Sequence, residues 1–249
     1  ISEETVFEVP PLRTPKENKD ARTAEAVQLF IERSRAARPS WDPSEPELHA
    51  IAEVCRQLDG MPLAIELAAG RMGVLTPSQL ASRLPQRFDV LVGRGAGDRQ
   101  ATLRGAIDGS WAALSPNEQR ALAQLAVFRG GFLAEAAEAI VGQPNMVETL
   151  FGLRSKSLVR VYFPTGDEHR PRYGLFETIR EYALEKLQAT PEREGALARH
   201  ARWYLDIGGR LAAHAESSKD ALDALDQERE NLFAHVDIAH YDYPDFALL

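Results

Sequence analysis

Ser157-Leu158-Val159-Arg160-Val161-Tyr162-Phe163, followed by Arg172-Tyr173-Gly174-Leu175-Phe176, decides the fold. Both runs are β-branched and aromatic in a chain whose periodicity is otherwise mostly helical, so they read as strands. The polar turn between them, Pro164 to Pro171, makes a hairpin. Just upstream the spacing predicts three short helices. Ser115-Pro116-Asn117-Glu118 is a capping box that opens the first, with Leu122 and Leu125 on its inner face. After Phe128 the pair Gly130-Gly131 breaks the pattern, and helices are predicted at Ala134–Val141 and Met146–Leu153. Three short helices and then a hairpin are the outline of a winged helix.

Toward the N-terminus, residues 1–15 are extended and proline-punctuated and read as an incoming strand or linker. A helix follows with Val27, Phe30, Ile31 and Ser34 on one face, ended by Pro39. The next begins after Asp42-Pro43-Ser44 and carries Leu48, Ile51, Cys55 and Leu58. Asp59-Gly60 caps it, and Pro62 stands where a new helix can start, so two helices meet at a tight corner. Thr76 to Gln79 is a second capping box. The Gly-rich stretch Arg94 to Asp98 is a linker and the first boundary, followed by a helix with Leu103, Ile107, Trp111 and Leu114. Beyond the hairpin, helices carry Ile179, Tyr182, Ala183 and Leu187; then, capped by Thr190-Pro191, Leu197, Trp203, Tyr204, Ile207 and Leu211; and finally Leu222, Leu225, Leu232 and Val236. The expected fold is mainly α: a lead-in and helical bundle over 1–94, a winged helix over 95–189, and antiparallel helices over 190–249.

Composition excludes several functions. The 249 residues are 44% hydrophobic and 27% charged, ordinary for a globular chain with a real core. A net charge of −8 argues against a protein whose main work is wrapping nucleic acid. Six basic and twelve acidic residues fall in 190–249, so most of that excess is local to the last helices. The single cysteine, Cys55, rules out an internal disulfide framework and a cysteine zinc site, and fits a reducing, cytoplasmic setting. It lies on an apolar helix face and reads as inert core. No apolar stretch approaches the roughly 18 residues of a membrane helix, and no signal peptide is visible.

No catalytic motif stands out. A phosphate-binding P-loop ends in Gly-Lys-Ser/Thr, and this sequence contains no Gly-Lys pair. Gly93-Arg94-Gly95-Ala96-Gly97 follows a strand-like run but has Asp98 where a dinucleotide fingerprint needs glycine, so a linker is the better reading. The six histidines show no metal-ligand spacing, and there is no nucleophile elbow. The sequence therefore predicts no catalysis, no metal site and no cofactor held by this chain alone.

Gly60-Met61-Pro62-Leu63-Ala64-Ile65-Glu66-Leu67-Ala68 resembles the Gly-Leu-Pro-Leu-Ala motif of NB-ARC or STAND-type signal-transduction ATPases. The bacterial transcriptional regulators of that class, the branch associated with LuxR- and SARP-type regulators, are the nearer likeness. Other segments agree in order: Val6 to Leu12, Ala26 to Arg33, Gln100 to Trp111, Leu125 to Phe132, Lys156 to Val159, Tyr173 to Ala183, Arg199 to Leu205, and Glu230-Asn231-Leu232. The likeness spans nearly the whole chain.

The resemblance implies a non-catalytic C-terminal part of a nucleotide switch: an ARC-like helical subdomain, a winged helix and the start of a tetratricopeptide-like region. The sequence starts at Ile1 rather than Met and lacks a P-loop, both expected of a piece cut from its ATPase domain. In the family the corner proline packs near adenine, which gives Gly60, Met61, Pro62 and Leu63 an adenine-side contact when the nucleotide domain is present. A plain helix–helix corner is the other reading. Cofactors implied for the longer protein are ATP and ADP, and its partners are that nucleotide domain and proteins bound through the last helices. Relatives place Met-His-Asp where Leu175-Phe176-Glu177 stands here; phenylalanine donates no hydrogen bond to phosphate, so that contact is absent. Glu177 instead suits the positive end of the helix it begins. For DNA recognition the helix before the hairpin offers only Arg154 and Lys156, both at its end, and the wing's Arg170 and Arg172 read as solvated charges. Packing between domains is the commoner use of the winged helix in the family. The alternatives are a DNA-binding winged-helix module or a stand-alone helical scaffold for a protein partner.

Overall fold

The computed structural model describes residues 10–15, 17–35, 38–84, 103–164, 169–214 and 218–242. The chain divides into two compact units, 1–112 and 113–249. The boundary anticipated near residue 94, the Gly-rich run 93–97 and the lead-in segment 1–9 lie outside the described residues.

The first unit holds helices α1 (Glu25–Ser34), α2 (Glu45–Gln57), α3 (Pro62–Ala69), α4 (Pro77–Arg83) and α5 (Leu103–Ala112). α1 packs on α2 and α3, α2 on α4, and α5 on α3. Helix starts are written in side chains. Thr76 and Gln79 exchange the two capping hydrogen bonds, at 3.0 and 3.2 Å. Glu47 receives the Ser44 amide at 2.9 Å and its hydroxyl at 2.8 Å, a further capping box that sequence reading left unmarked. Val27, Phe30, Leu48, Ile51, Cys55, Ile65 and Leu80 fill the interior.

Cys55 is fully buried, and that burial pushes its thiol up from 9.0 to about 12. Only the thiolate reacts, so alkylation of the folded chain by iodoacetamide at neutral pH should be negligible and should begin with unfolding. A raised folded value also means that stability is full below pH 9.0 and declines as pH rises toward about 12, because the unfolded thiol ionises first. Rapid labelling in native buffer would contradict this placement.

The second unit contains α6 (Pro116–Leu125), α7 (Ala134–Val141), α8 (Met146–Ser155), α9 (Glu177–Gln188), α10 (Glu192–Ala212) and α11 (Lys219–Asp242). Its strands are β1 (Gly131–Phe132), β2 (Arg160–Tyr162) and β3 (Arg172–Gly174). They form an antiparallel sheet of order β1-β3-β2, with Phe132 and Val161 both opposite Tyr173. Helix, strand, two helices and a two-stranded wing, closed by the first strand on the β3 edge, are the winged-helix arrangement. The fold is mainly α, as the periodicity predicts. β1 is new: two residues are too short to show alternation, and the Gly130-Gly131 break marks its start.

α9 packs on α6, α10 on α7, and α10 on α11. One local expectation is corrected. Thr190 does not open α10; its hydroxyl donates to the Leu187 carbonyl at 2.8 Å and finishes α9, while Pro191 stands at the α10 N-cap. Over residues 219–234 the inward face of α11 is small and polar. Ala221, Glu228, Asn231 and Ala234 are buried, whereas Leu222 is 52% exposed. Leu225 and Leu232 are only half-buried.

Candidate functional site

The Gly60–Leu63 corner begins with two consecutive left-handed residues, Asp59 and Gly60, at φ 52° and 68°. The Gly60 amide closes the α2 terminus on the Cys55 carbonyl at 3.1 Å. Its own carbonyl accepts from the Leu12 amide at 3.0 Å, which holds the lead-in segment across the corner. A side chain at Gly60 would run into the Leu12 carbonyl oxygen. Met61 is the α3 N-cap and Pro62 its first residue, where a missing N–H costs nothing. Pro62 is exposed, Leu63 is 38% exposed and Met61 half-buried. The four residues thus form a rigid, mostly apolar shelf with one buried anchor.

The second place is α8, the helix that a DNA-binding winged helix would put in the major groove. Met146, Leu150 and Leu153 face the core, leaving Val147 at 52% and Phe151 at 66% exposure on the outer face. Glu138, Asn145, Val147 and Glu148 line a shallow depression at the α8 N-terminus. Arg154 and Lys156 are neighbours at the other end, both exposed. Lys156 is already engaged: its ammonium pairs with Glu118, the carboxylate that also takes the Ser115 amide and hydroxyl at 2.8 Å. The bond from Lys156, and then those from Ser115, hold that carboxyl below its ordinary range against the opposing effect of burial. Gly152 leaves room for it, since a Cβ there would lie 2.8 Å from Glu118 Oε1.

At the start of α9, Phe176 is the N-cap, with the Arg160 guanidinium 5.5 Å above its ring. Glu177 sits in the first turn, bonded to Arg180 at 2.5 and 2.9 Å. The acidic residue lies at the positive helix end, as expected.

Arg172 overturns an expectation. It is 4% exposed, not solvated, and stands at the centre of a polar cluster that sequence reading missed. Its guanidinium makes a two-pronged bond to Glu228, at 2.5 and 3.0 Å, and donates to the Gly131 carbonyl at 2.8 Å. Asn231 receives the Arg129 amide at 2.8 Å and donates to the same Gly131 carbonyl at 2.8 Å. Burial alone would lower Arg172, but the hydrogen bonds and charge of Glu228 outweigh it and hold it above its ordinary value, with Tyr162 contributing. Tyr204 is likewise pushed up, first by burial and then by the Glu228 charge. Glycine at 131 lets the Tyr162 ring pack close, since a Cβ there would lie 1.8 Å from its hydroxyl. A usable signal did exist: Glu228 and Asn231 are three apart on one helix face, in phase with Ala221 and Ala234.

Around this cluster the C-terminal helices are joined to the winged helix. Phe128 stacks on Phe132 at 4.3 Å and meets the rings of His200 at 5.1 Å and Tyr204 at 6.2 Å. Arg199 donates to the Ile140 carbonyl at 2.5 Å and to Gln124 at 2.8 Å. Among the described residues no helix is long and apolar enough to cross a membrane, and no group of three or more metal-ligating side chains occurs.

Fold and surface together describe a helical bundle followed by a winged helix that carries its own C-terminal helices and presents an apolar recognition helix. Similar sequences occur in mycobacteria. The chain is 39% identical over 220 residues, 85% of its length, to a Mycobacterium tuberculosis protein described as a candidate HTH-type transcriptional regulator, and the match takes in 24% of that protein. A Mycobacterium bovis counterpart with the same description matches equally. An uncharacterized M. tuberculosis protein is 35% identical over 206 residues, 80% of this chain and 50% of the relative. The chain therefore spans about a quarter to a half of the relatives it matches. No protein-family profile matches it.

Proposed function

We propose that this chain is a regulatory, non-catalytic segment of a nucleotide-switch transcriptional regulator. It couples an ATPase domain to a helical sensor or effector region, in the cytoplasm. The observation that carries this is the outer face of α8: Val147, Glu148 and Phe151 where a reader of DNA needs Arg, Lys, Asn or Gln. Such a face suits a protein surface. The name of the mycobacterial relatives supports a role in transcription, and the NB-ARC-like order of segments supports the switch. In this reading the longer protein binds ATP or ADP, Gly60 to Leu63 form the adenine-side shelf, and the winged helix shifts against the nucleotide domain to expose an effector surface.

A second reading, direct DNA binding, draws on the exposed Arg154 and on the HTH-type description of the relatives. Fluorescence anisotropy with a labelled duplex at about 50 mM salt separates the two, because phosphate contacts are strongest there. The regulatory reading expects no saturable binding by this chain. Saturable binding that weakens steeply with salt and falls in Arg154→Ala would establish the DNA reading instead.

A further inference from the structure

We propose that the wing's sheet carries a socket for a helix bearing Glu-x-x-Asn, occupied in this chain by α11, and that the contact is a latch: α11 lifts as a unit while the winged helix stays folded. The socket consists of the Arg172 guanidinium, the Gly131 carbonyl and the Arg129 amide, brought together from β3, β1 and the turn before it. Glu228 satisfies the first through both carboxylate oxygens. Asn231 satisfies the other two with its oxygen and its nitrogen, each at 2.8 Å. Every donor and acceptor is read by a group of the right sign at the right reach. Gly130, at φ 76°, makes the left-handed turn that brings the Arg129 amide and the Gly131 carbonyl to the same helix.

The composition of the interface points to a latch rather than an ordinary core contact. Over residues 219–234 of α11 the buried positions are two alanines, one carboxylate and one carboxamide, while Leu222 and Phe233 are 52% and 60% exposed. The apolar packing of α11 is on α10, where Leu232 lies against Gly208, and its contact with the sheet is carried by the polar pair Glu228 and Asn231. A buried ion pair adds modest net stability because desolvation opposes it, but it is stringent about geometry. A helix attached to a sheet in this way is specified closely and held to it loosely, so it can lift from the sheet while it stays packed on α10. The latch stands independently of any nucleotide bound elsewhere in a longer protein.

Native-state hydrogen exchange on the full chain tests it, comparing the parent with Glu228→Gln and Asn231→Ala. Glutamine keeps the shape and removes the charge; alanine keeps the ion pair and removes the three hydrogen bonds of Asn231, one of them to Glu228 at 3.3 Å. Both should lower protection of α11 and of the Arg129 amide on the order of tenfold or more, while α6 and α9 stay within about threefold. A uniform loss across 113–242 in both variants would show one indivisible core and overturn the latch, as would unchanged α11 protection in both. The swapped double variant Arg172→Glu with Glu228→Arg is a further check. Its charges still match, but a carboxylate at position 172 faces the Gly131 carbonyl, so α11 should stay released. Full recovery would reduce the contact to an unspecific ion pair and refute the socket. Should Glu228→Gln fail to fold, Asn231→Ala alone decides.

Discussion

Phe128→Ala is expected to destabilise the second unit by about 3–5 kcal/mol, the usual cost of emptying a buried phenylalanine site. Phe128 is 2% exposed and joins three elements at once: the end of α6, β1 through Phe132, and α10 through His200 and Tyr204. Truncation removes the stacked ring and leaves two α10 side chains facing a void that the short β1 cannot close. The signature is a large drop in the unfolding midpoint with loss of near-ultraviolet circular dichroism. Phe151→Ala is the control, because Phe151 is 66% exposed; its change should stay within about 0.5 kcal/mol. A loss below about 1 kcal/mol for Phe128→Ala would mean that α10 is not anchored there.

Gly60→Ala carries the second large effect, expected at about 2–4 kcal/mol in the first unit. Two penalties combine. The backbone at φ 68° is strained for any residue with a Cβ, and that Cβ would collide with the Leu12 carbonyl. Relief requires giving up the 3.0 Å bond between the Leu12 amide and the Gly60 carbonyl, which frees the lead-in segment from the corner. Gly70→Ala is the matched control: nothing lies within 4 Å of its Cβ position, and it sits in right-handed backbone at the end of α3. Urea unfolding should show it neutral or slightly stabilised. Equal effects at the two glycines would contradict the role given to the corner.

How far the sequence discloses this molecule follows from the range of the forces involved. Helix starts are local chemistry, so Thr76-Gln79 and Ser115-Glu118 were legible as capping boxes and both form. The wing strands were legible because β-branched and aromatic residues cluster there. β1 was not, since its pairing with β3 is long-range and only two residues take part. Arg172 looked like a wing charge because wings are exposed; its partner Glu228 lies 56 residues away, and no spacing rule reaches that far. The same limit hides the inward face of α11. Leucine spacing says nothing of the sheet opposite, which offers an arginine and a carbonyl, so the polar face turns in.

The candidate site divides in the same way. Gly60 and Pro62 announce a corner in the sequence, and the structure adds why the glycine is obligatory and which neighbours are exposed. Arg154 and Lys156 stand at the end of α8 as their place in the sequence implies, but the tie from Lys156 to Glu118 spans 38 residues and no local spacing announces it. The apolar outer face of α8 was hidden because Val147 and Phe151 alternate with the core residues Leu150 and Leu153 on so short a helix.

The regulatory account is tested most directly by hydrogen exchange across residues 60–63 in the full-length gene product, with ADP and without nucleotide. It predicts that ADP increases protection of the Met61 and Leu63 amides well above the change in α6, because the shelf closes on the bound base. Identical protection of those amides with and without nucleotide would contradict it.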